Sequence, residues 1–192
     1  MNVHYLTDYF SSLTHLSSEF CAYVEQNTKE EYFSKNQVIL SAGQVEGRMW
    51  YIIQGIAMEY SYKDIEKKPH RLWNEGEIMV NIPSFFKQSP SERYIEILDP
   101  CILLSISYEQ VQYLLREFAE SKFLIRIIIE NYQNDAETKA FELLKTSSEE
   151  RFQKLLEKFP LIFEKTSMDN IAGYLGVSKK TLGRIRTRHN SK

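Results

Sequence analysis

A chain of 192 residues with 43% hydrophobic and 26% charged residues can bury one sizeable core or two small ones, which excludes a disordered polymer. No apolar run approaches the roughly eighteen residues of a membrane span, and the N-terminus, interrupted by Asp8, His15 and Glu19, lacks a signal-peptide core, so a cytoplasmic protein with no membrane partner is expected. The formal net charge of −2 conceals a division: residues 1–145 carry 14 Lys and Arg against 21 Asp and Glu, whereas residues 146–192 carry 10 against 5, confining attraction for phosphate to the C-terminal part.

Leu6, Phe10, Leu13, Leu16, Phe20 and Val24 recur at spacings of three and four and predict helical pieces over Val3 to about Val24, broken near Ser11-Ser12 or Ser17-Ser18. From Glu31 to about Ile106 the pattern changes to short strand-like runs, among them Val38 to Leu40, Met49 to Ile53, Ile56 to Tyr62, Leu72-Trp73, Ile78 to Val80, Tyr94 to Leu98 and Ile102 to Ile106. Turn formers separate them: Gly43, Gly47, Gly55, Lys63-Asp64, Gly76, Pro83, Pro90 and Asp99-Pro100. Their spacing of roughly eight to twelve residues fits a compact antiparallel barrel or roll. Cys21 and Cys101 have no CxxC partner and read as buried thiols. His4, His15, His70 and His189 are too dispersed for a local metal motif, and no Gly-rich phosphate loop, nucleophile elbow or Cys–His motif is present, so neither a metal, a cofactor nor a catalytic residue is expected.

Tyr108 to Phe118 reads as a short helix and roughly Ser121 to Lys145 as a second of six or seven turns, too long for a small domain to need alone. Its stripe of Ile125, Ile129, Tyr132, Ala136, Ala140 and Leu143, widened by Leu124, Ile127 and Ile128, fits a helix buried both by its own roll and by the same helix of a second subunit. Packing on the roll alone is the simpler alternative. Ser147 with Glu150 three residues on is a capping box for a helix whose apolar side is Phe152, Leu155, Leu156 and Phe159 and which Pro160 ends. Leu161 to Thr166 is then a connector.

Ser167 can cap a helix of Met168 to Leu175, Gly176 permits a break, and Val177-Ser178 leads into a second helix. Ile171, Leu175, Val177, Leu182 and Ile185 are the apolar positions that two crossed helices share, with Ala172 small at their approach. Lys180, Gly183, Arg184 and Thr187 then fall on one outward stripe, with Lys179 beside it. From Gly176 onward the chain has Lys179, Lys180, Arg184, Arg186, Arg188 and Lys192 and no acid, which favours a helix-turn-helix gripping duplex DNA over a solvated basic tail.

Four segments carry a resemblance across nearly the whole chain: Val38 to Gly43, Tyr51-Ile52-Ile53-Gln54-Gly55, Ser147 to Phe152, and Ile171 to Ser178 with Thr181 to Arg186. In that order they resemble the cyclic-AMP receptor and fumarate-nitrate regulator (Crp/Fnr) family of bacterial transcription factors. The resemblance implies an α+β chain. Residues 1–118 would form an antiparallel β-roll sensor domain, a double-stranded β-helix of the cyclic-nucleotide-binding type with flanking helices; 119–145 a long dimerisation helix; and 146–192 a helix-turn-helix domain. It implies a homodimer bound to a palindromic operator, with RNA polymerase as a further candidate partner. Ser178 and Thr181 would contact the DNA backbone and Lys179, Lys180 and Arg184 would read it, with Arg186 and Arg188 adding charge. Lys180 stands where the best-known member has an acid, so a different operator is expected. The chain would be a short form without the C-terminal winged hairpin. The dimer interface would use Ile125, Ile129, Tyr132 and Ala136. Candidate effector contacts are Asn81, Ser84, Arg93 and Tyr94. Of the Gly-Glu and Arg-Ser/Thr pairs expected of a cyclic-AMP site only Arg93 remains, so cyclic AMP is not expected as the effector. The competing reading is a cyclic-nucleotide-type sensor or adaptor whose helical end binds protein instead of DNA.

Overall fold

The protein is described here by a computed structural model over residues 2–190, so Lys192 of the basic tail lies outside the described residues. Two helices, α1 (His4–Leu13) and α2 (Ser18–Asn27), open the chain and are parted where the Ser17 hydroxyl accepts the Phe20 amide at 3.3 Å. The roll follows with β1 (Lys29–Phe33), β2 (Val38–Leu40), β3 (Arg48–Lys63), β4 (Glu66–Trp73), β5 (Ile78–Met79), the short helix α3 (Ile82–Lys87) and β6 (Tyr94–Ser107). All pairings are antiparallel, in the order β1-β6-β3-β4, with β2 also on β6 and β5 on β3. Six helices end the described residues: α4 (Tyr108–Glu117), α5 (Ala119–Lys145), α6 (Ser148–Lys158), α7 (Ile162–Lys165), α8 (Met168–Leu175) and α9 (Lys179–Asn190).

The sequence divides β3 at Gly55 and β6 at Asp99-Pro100, yet each is one continuous strand. These two points face one another. Gln54 aligns with Ile102 and Ile56 with Asp99, so a two-residue step on β3 meets a three-residue step on β6 and the paired strands bend together. Gly55 has φ 105°, and a Cβ there would stand 2.5 Å from the Cys101 Sγ and 2.6 Å from the Pro100 carbonyl oxygen, so only glycine fits. The two turn signals are therefore one corner of the roll. A second correction concerns Pro83, expected as a turn former. It lies in the first turn of α3, where a missing N–H costs nothing, and the Asn81 Oδ1 caps that turn by accepting the Ser84 amide at 3.1 Å. The connector after Pro160 likewise holds the single turn of α7.

The expected capping box opens α6: the Ser147 hydroxyl accepts the Glu150 amide at 3.2 Å and the Glu150 carboxylate accepts the Ser147 amide at 2.7 Å. Cys101 is buried, which pushes its thiol up to about 12, whereas Cys21 is only half-buried. Three apolar clusters form the core. One lies between the roll and α1, α2, α4 and the first half of α5, around Phe20, Tyr51, Phe85, Leu104, Leu124 and Ile128. Another fills the roll around Ile52, Trp73, Ile95, Ile97 and Leu103. The last is shared: Ile56, Met58, Tyr60, Leu72 and Leu98 of the roll pack with Phe152, Leu155, Ile171, Leu182 and Ile185 of the C-terminal helices. The helix-turn-helix thus has no separate core but completes the outer face of the roll. At this seam a Cβ on Gly173 of α8 would stand 2.8 Å from Pro69 Cδ of β4.

Candidate nucleic-acid interface

The turn between α8 and α9 is built as its residues dictate. The Ser167 hydroxyl caps α8 through the Asn170 amide at 3.2 Å. Gly176 ends it in the left-handed region, φ 65°, and the following Val177 amide donates to the Ala172 carbonyl at 3.0 Å. The Ser178 hydroxyl accepts the Thr181 amide at 3.1 Å and lies 2.9 Å from the Thr181 hydroxyl, so both hydroxyls begin α9. Ile171, Ala172, Leu175, Leu182 and Ile185 are buried and Val177 half-buried, as a crossed helix pair requires.

The positive side chains of α9 are not equivalent. Lys180 and Arg184, one helical turn apart, are exposed and carry no hydrogen bond or ion pair to the described residues. Lys179 reaches back to Asp169 of α8 at 2.9 Å, Arg188 to Glu149 of α6 at 3.4 Å, and Arg186 lies over the Phe163 ring at 4.5 Å. Both ion pairs are exposed and so weak enough for a phosphate to replace.

The candidate effector residues divide differently. Asn81 and Ser84 are buried and occupied: the Asn81 side chain donates to Glu59 at 2.8 Å, while the Ser84 hydroxyl accepts the Glu46 amide at 2.9 Å and donates to the Ser89 carbonyl at 2.7 Å. Tyr94 stacks on Tyr60 with ring centres 5.1 Å apart and an edge contact to Tyr62. Arg93 does line a cavity, but its guanidinium is paired with the fully buried Glu59 at 2.5 Å. Glu46 beside them is pushed up to about 8 by burial and by the Glu59 charge, against the Asn81 amide that its carboxylate accepts. The cavity, about 400 Å³, lies where the roll, α5 and the C-terminal helices meet. Its walls include Lys139 and Tyr174, which no local sequence signal singled out. For Glu59 a signal existed, an acid within the apolar run Ile56 to Tyr62.

Residues 30–118 match the family model described as cyclic nucleotide-binding domain. Among solved structures, a protein assigned to the Crp/Fnr family of transcriptional regulators from Eubacterium rectale superimposes with a TM-score of 0.73 at 15% identity, covering 96% of this chain and 88% of that one. The c-di-GMP-responsive global regulator CLP of Xanthomonas campestris gives 0.69 at 17% identity, covering 91% and 92%. FixK2 of Bradyrhizobium japonicum gives 0.73 at 12%, covering 85% of each chain. This chain has the Crp/Fnr fold. No curated protein sequence matches it.

Within this Crp/Fnr fold the apolar stripe expected on α5 is divided. Leu124 and Ile128 are buried against the roll, Ile125 and Ile129 are half-buried, and Ala136 is exposed. Tyr132 turns to its own roll, where the Arg71 guanidinium lies 4.0 Å over its ring and donates to its carbonyl at 2.9 Å. The large apolar side chains left exposed are instead Phe123, Phe141, Leu143 and Leu144, at 37%, 60%, 44% and 80%. No helix among the described residues is long and apolar enough to cross a membrane.

Proposed function

We propose that the chain is a transcription regulator that binds a palindromic operator as a homodimer, with α9 in the major groove of each half-site. The observation that carries this is the pair Lys180 and Arg184, exposed, one turn apart and unpaired within the described chain, on a helix start already capped by Ser178. A helix of this kind offers base edges two donors at the groove floor, while Lys179, Arg186 and Arg188 at its margins can exchange weak internal contacts for phosphates. The exposed apolar side chains of α5 supply the second-subunit contact, and RNA polymerase is a further partner only by resemblance. Ile125, Ile129 and Ala136 lie beside that contact, whereas Tyr132 is engaged with Arg71.

The same reading holds that cyclic AMP is not the effector. The cyclic phosphate would need an arginine, and in this chain the Glu59 carboxylate already neutralises Arg93 from within the roll. Selection of duplexes from a random pool tests the proposal. An inverted repeat with half-sites about one helical turn, roughly 34 Å, apart is expected. Arg184→Ala and Lys180→Ala should each weaken the selected site by about 1–3 kcal/mol. No enriched site, or full affinity in both variants, would sink it.

A further inference from the structure

Glu46, in the loop between β2 and β3, fastens α3 with its side chain, its amide and its carbonyl. The carboxylate accepts the Asn81 amide, the Glu46 amide donates to the Ser84 hydroxyl at 2.9 Å, and the Glu46 carbonyl accepts the Gln88 side-chain amide at 3.4 Å. In turn α3 seats the first half of α5. Its Phe85 is fully buried in the cluster that holds Leu124 and Ile128, with its ring against Tyr108 of α4. Asn81 also grips a second acid, donating its side-chain N–H to Glu59 at 2.8 Å. Among the described residues Arg93, on Glu59, is the only cation bonded to either acid, so two buried carboxyls share one positive charge. The remaining Glu46 oxygen is buried and meets no donor.

We propose that this cluster is a proton-operated latch: a proton on Glu46 keeps α3 closed on the roll, and its loss lets the loop and α3 open locally and loosens the seat of α5. With both acids ionised, Arg93 leaves one negative charge uncompensated inside the roll, on a carboxylate with an oxygen that no donor reaches. Protonated, Glu46 is neutral and still accepts the Asn81 amide. Water can reach the ionised group only if the loop moves, which breaks the bonds to α3. The titratable and charged groups that face Glu46 are Glu59 of β3 and Tyr132 of α5, with Arg93 behind Glu59. His70 of β4 faces the Glu59–Arg93 pair and is pushed down by burial and by Arg93, while Tyr132 is pushed up by burial, so neither is charged near neutral pH. Lys87, the charge on α3 itself, is exposed at its end. Burial first, and the Glu59 charge after it, push Glu46 up to about 8 against the Asn81 amide, whereas an opened loop returns it toward 4.5. Opening thus releases a proton. It becomes about tenfold easier for each pH unit between those two values and no easier above the upper one.

NMR titration of the full chain, with the glutamate side-chain carboxyl carbons labelled, tests the latch without DNA. One resonance, absent in Glu46→Gln, should titrate near pH 8. In Glu59→Gln, where Arg93 is free to neutralise Glu46, its midpoint should fall by about a unit or more. Hydrogen exchange at the Phe85 amide, which donates to the Asn81 carbonyl at 2.9 Å, reads the opening. The wild-type rate divided by the Glu46→Gln rate should climb by up to about tenfold per unit from pH 6 to pH 8. This ratio cancels both the ordinary base catalysis of exchange and any titration of His70. A flat ratio, a Glu46 midpoint near the ordinary carboxyl value, or an unmoved midpoint in Glu59→Gln would overturn the proposal. The link to α5 rests in addition on the DNA-binding reading: affinity for the selected operator should fall from pH 6 to pH 8 more steeply in the wild type than in Glu46→Gln, and equal slopes would overturn that link. A selection that enriches no operator would count against the DNA-binding reading, while the titration and exchange measurements still decide the latch.

Discussion

Glu46 is 4% exposed, with one carboxylate oxygen accepting the Asn81 amide and the other without a partner, beside the equally buried Glu59. Its folded pKa of about 8 lies above the ordinary 4.5, so between these values the folded chain holds a proton that the unfolded chain has released. Stability therefore falls as pH rises through that window. Glu46→Gln keeps the acceptor for Asn81 and removes the titration. Urea unfolding should show the variant more stable at pH 8, by on the order of 2 kcal/mol, with a flatter profile from pH 5 to 8; parallel profiles would refute the assignment. Its neighbour Glu59 bears on the effector. With Arg93 paired to it, calorimetry should detect no heat with cyclic AMP or cyclic GMP at millimolar concentration, and micromolar binding abolished by Arg93→Ala would contradict this.

Among the elements, α9 and α5 each carry a feature that their own packing does not explain. Gly183 lies within α9, and a Cβ placed on it meets nothing within 4 Å, so it costs helix stability without serving a close approach inside the chain. Gly183→Ala should raise stability by about 0.5–1 kcal/mol, read as a higher melting temperature, and a lower one would show a contact that the geometry lacks. On α5, Phe141 and Leu144 are 60% and 80% exposed on the outer half of the helix, beyond the part buried by the roll. Replacing both by Glu should leave the folded chain nearly as stable while converting the proposed dimer to monomer in light scattering. A wild-type chain that is already monomeric at micromolar concentration, with and without DNA, would remove the basis for this pair of substitutions.

For the molecule as a whole, the decisive fact is that the helix-turn-helix shares its core with the roll, Met58 and Leu72 packing with Phe152 and Ile171 in one cluster. A shared core predicts one cooperative unfolding transition. Gly173 holds the seam close, since a Cβ there reaches 2.8 Å from Pro69 Cδ. Gly173→Val should push α8 off β4. The expected signature is a split or broadened unfolding transition and faster proteolysis between residues 146 and 167; a single transition as sharp as that of the wild type would mean the two parts are held together elsewhere. Lys139 and Arg151, which grip the end of α8 from α5 and α6, are a further fastening there.

Much of this architecture was legible in the residues. The 3.6-residue repeats of Leu6 to Val24 and of Phe152 to Phe159, the Ser147–Glu150 box, and the glycine and serine at positions 176 and 178 are local signals whose meaning does not depend on distant neighbours. The outward placement of Lys180 and Arg184 followed from the same periodicity. What the sequence misread were choices made between strands: Gly55 and Asp99-Pro100 look like two turns until their alignment makes them one corner, and Pro83 looks like a turn until Asn81 caps a helix around it. Charge pairing across the fold was likewise unreadable, because Glu59 meets Arg93 and Lys139 meets Tyr174 only after strands and helices far apart in the chain have packed. Local dihedral and periodic preferences are written in neighbouring residues, whereas desolvation and ion pairing are properties of a place in space, and that place is decided by the tertiary structure.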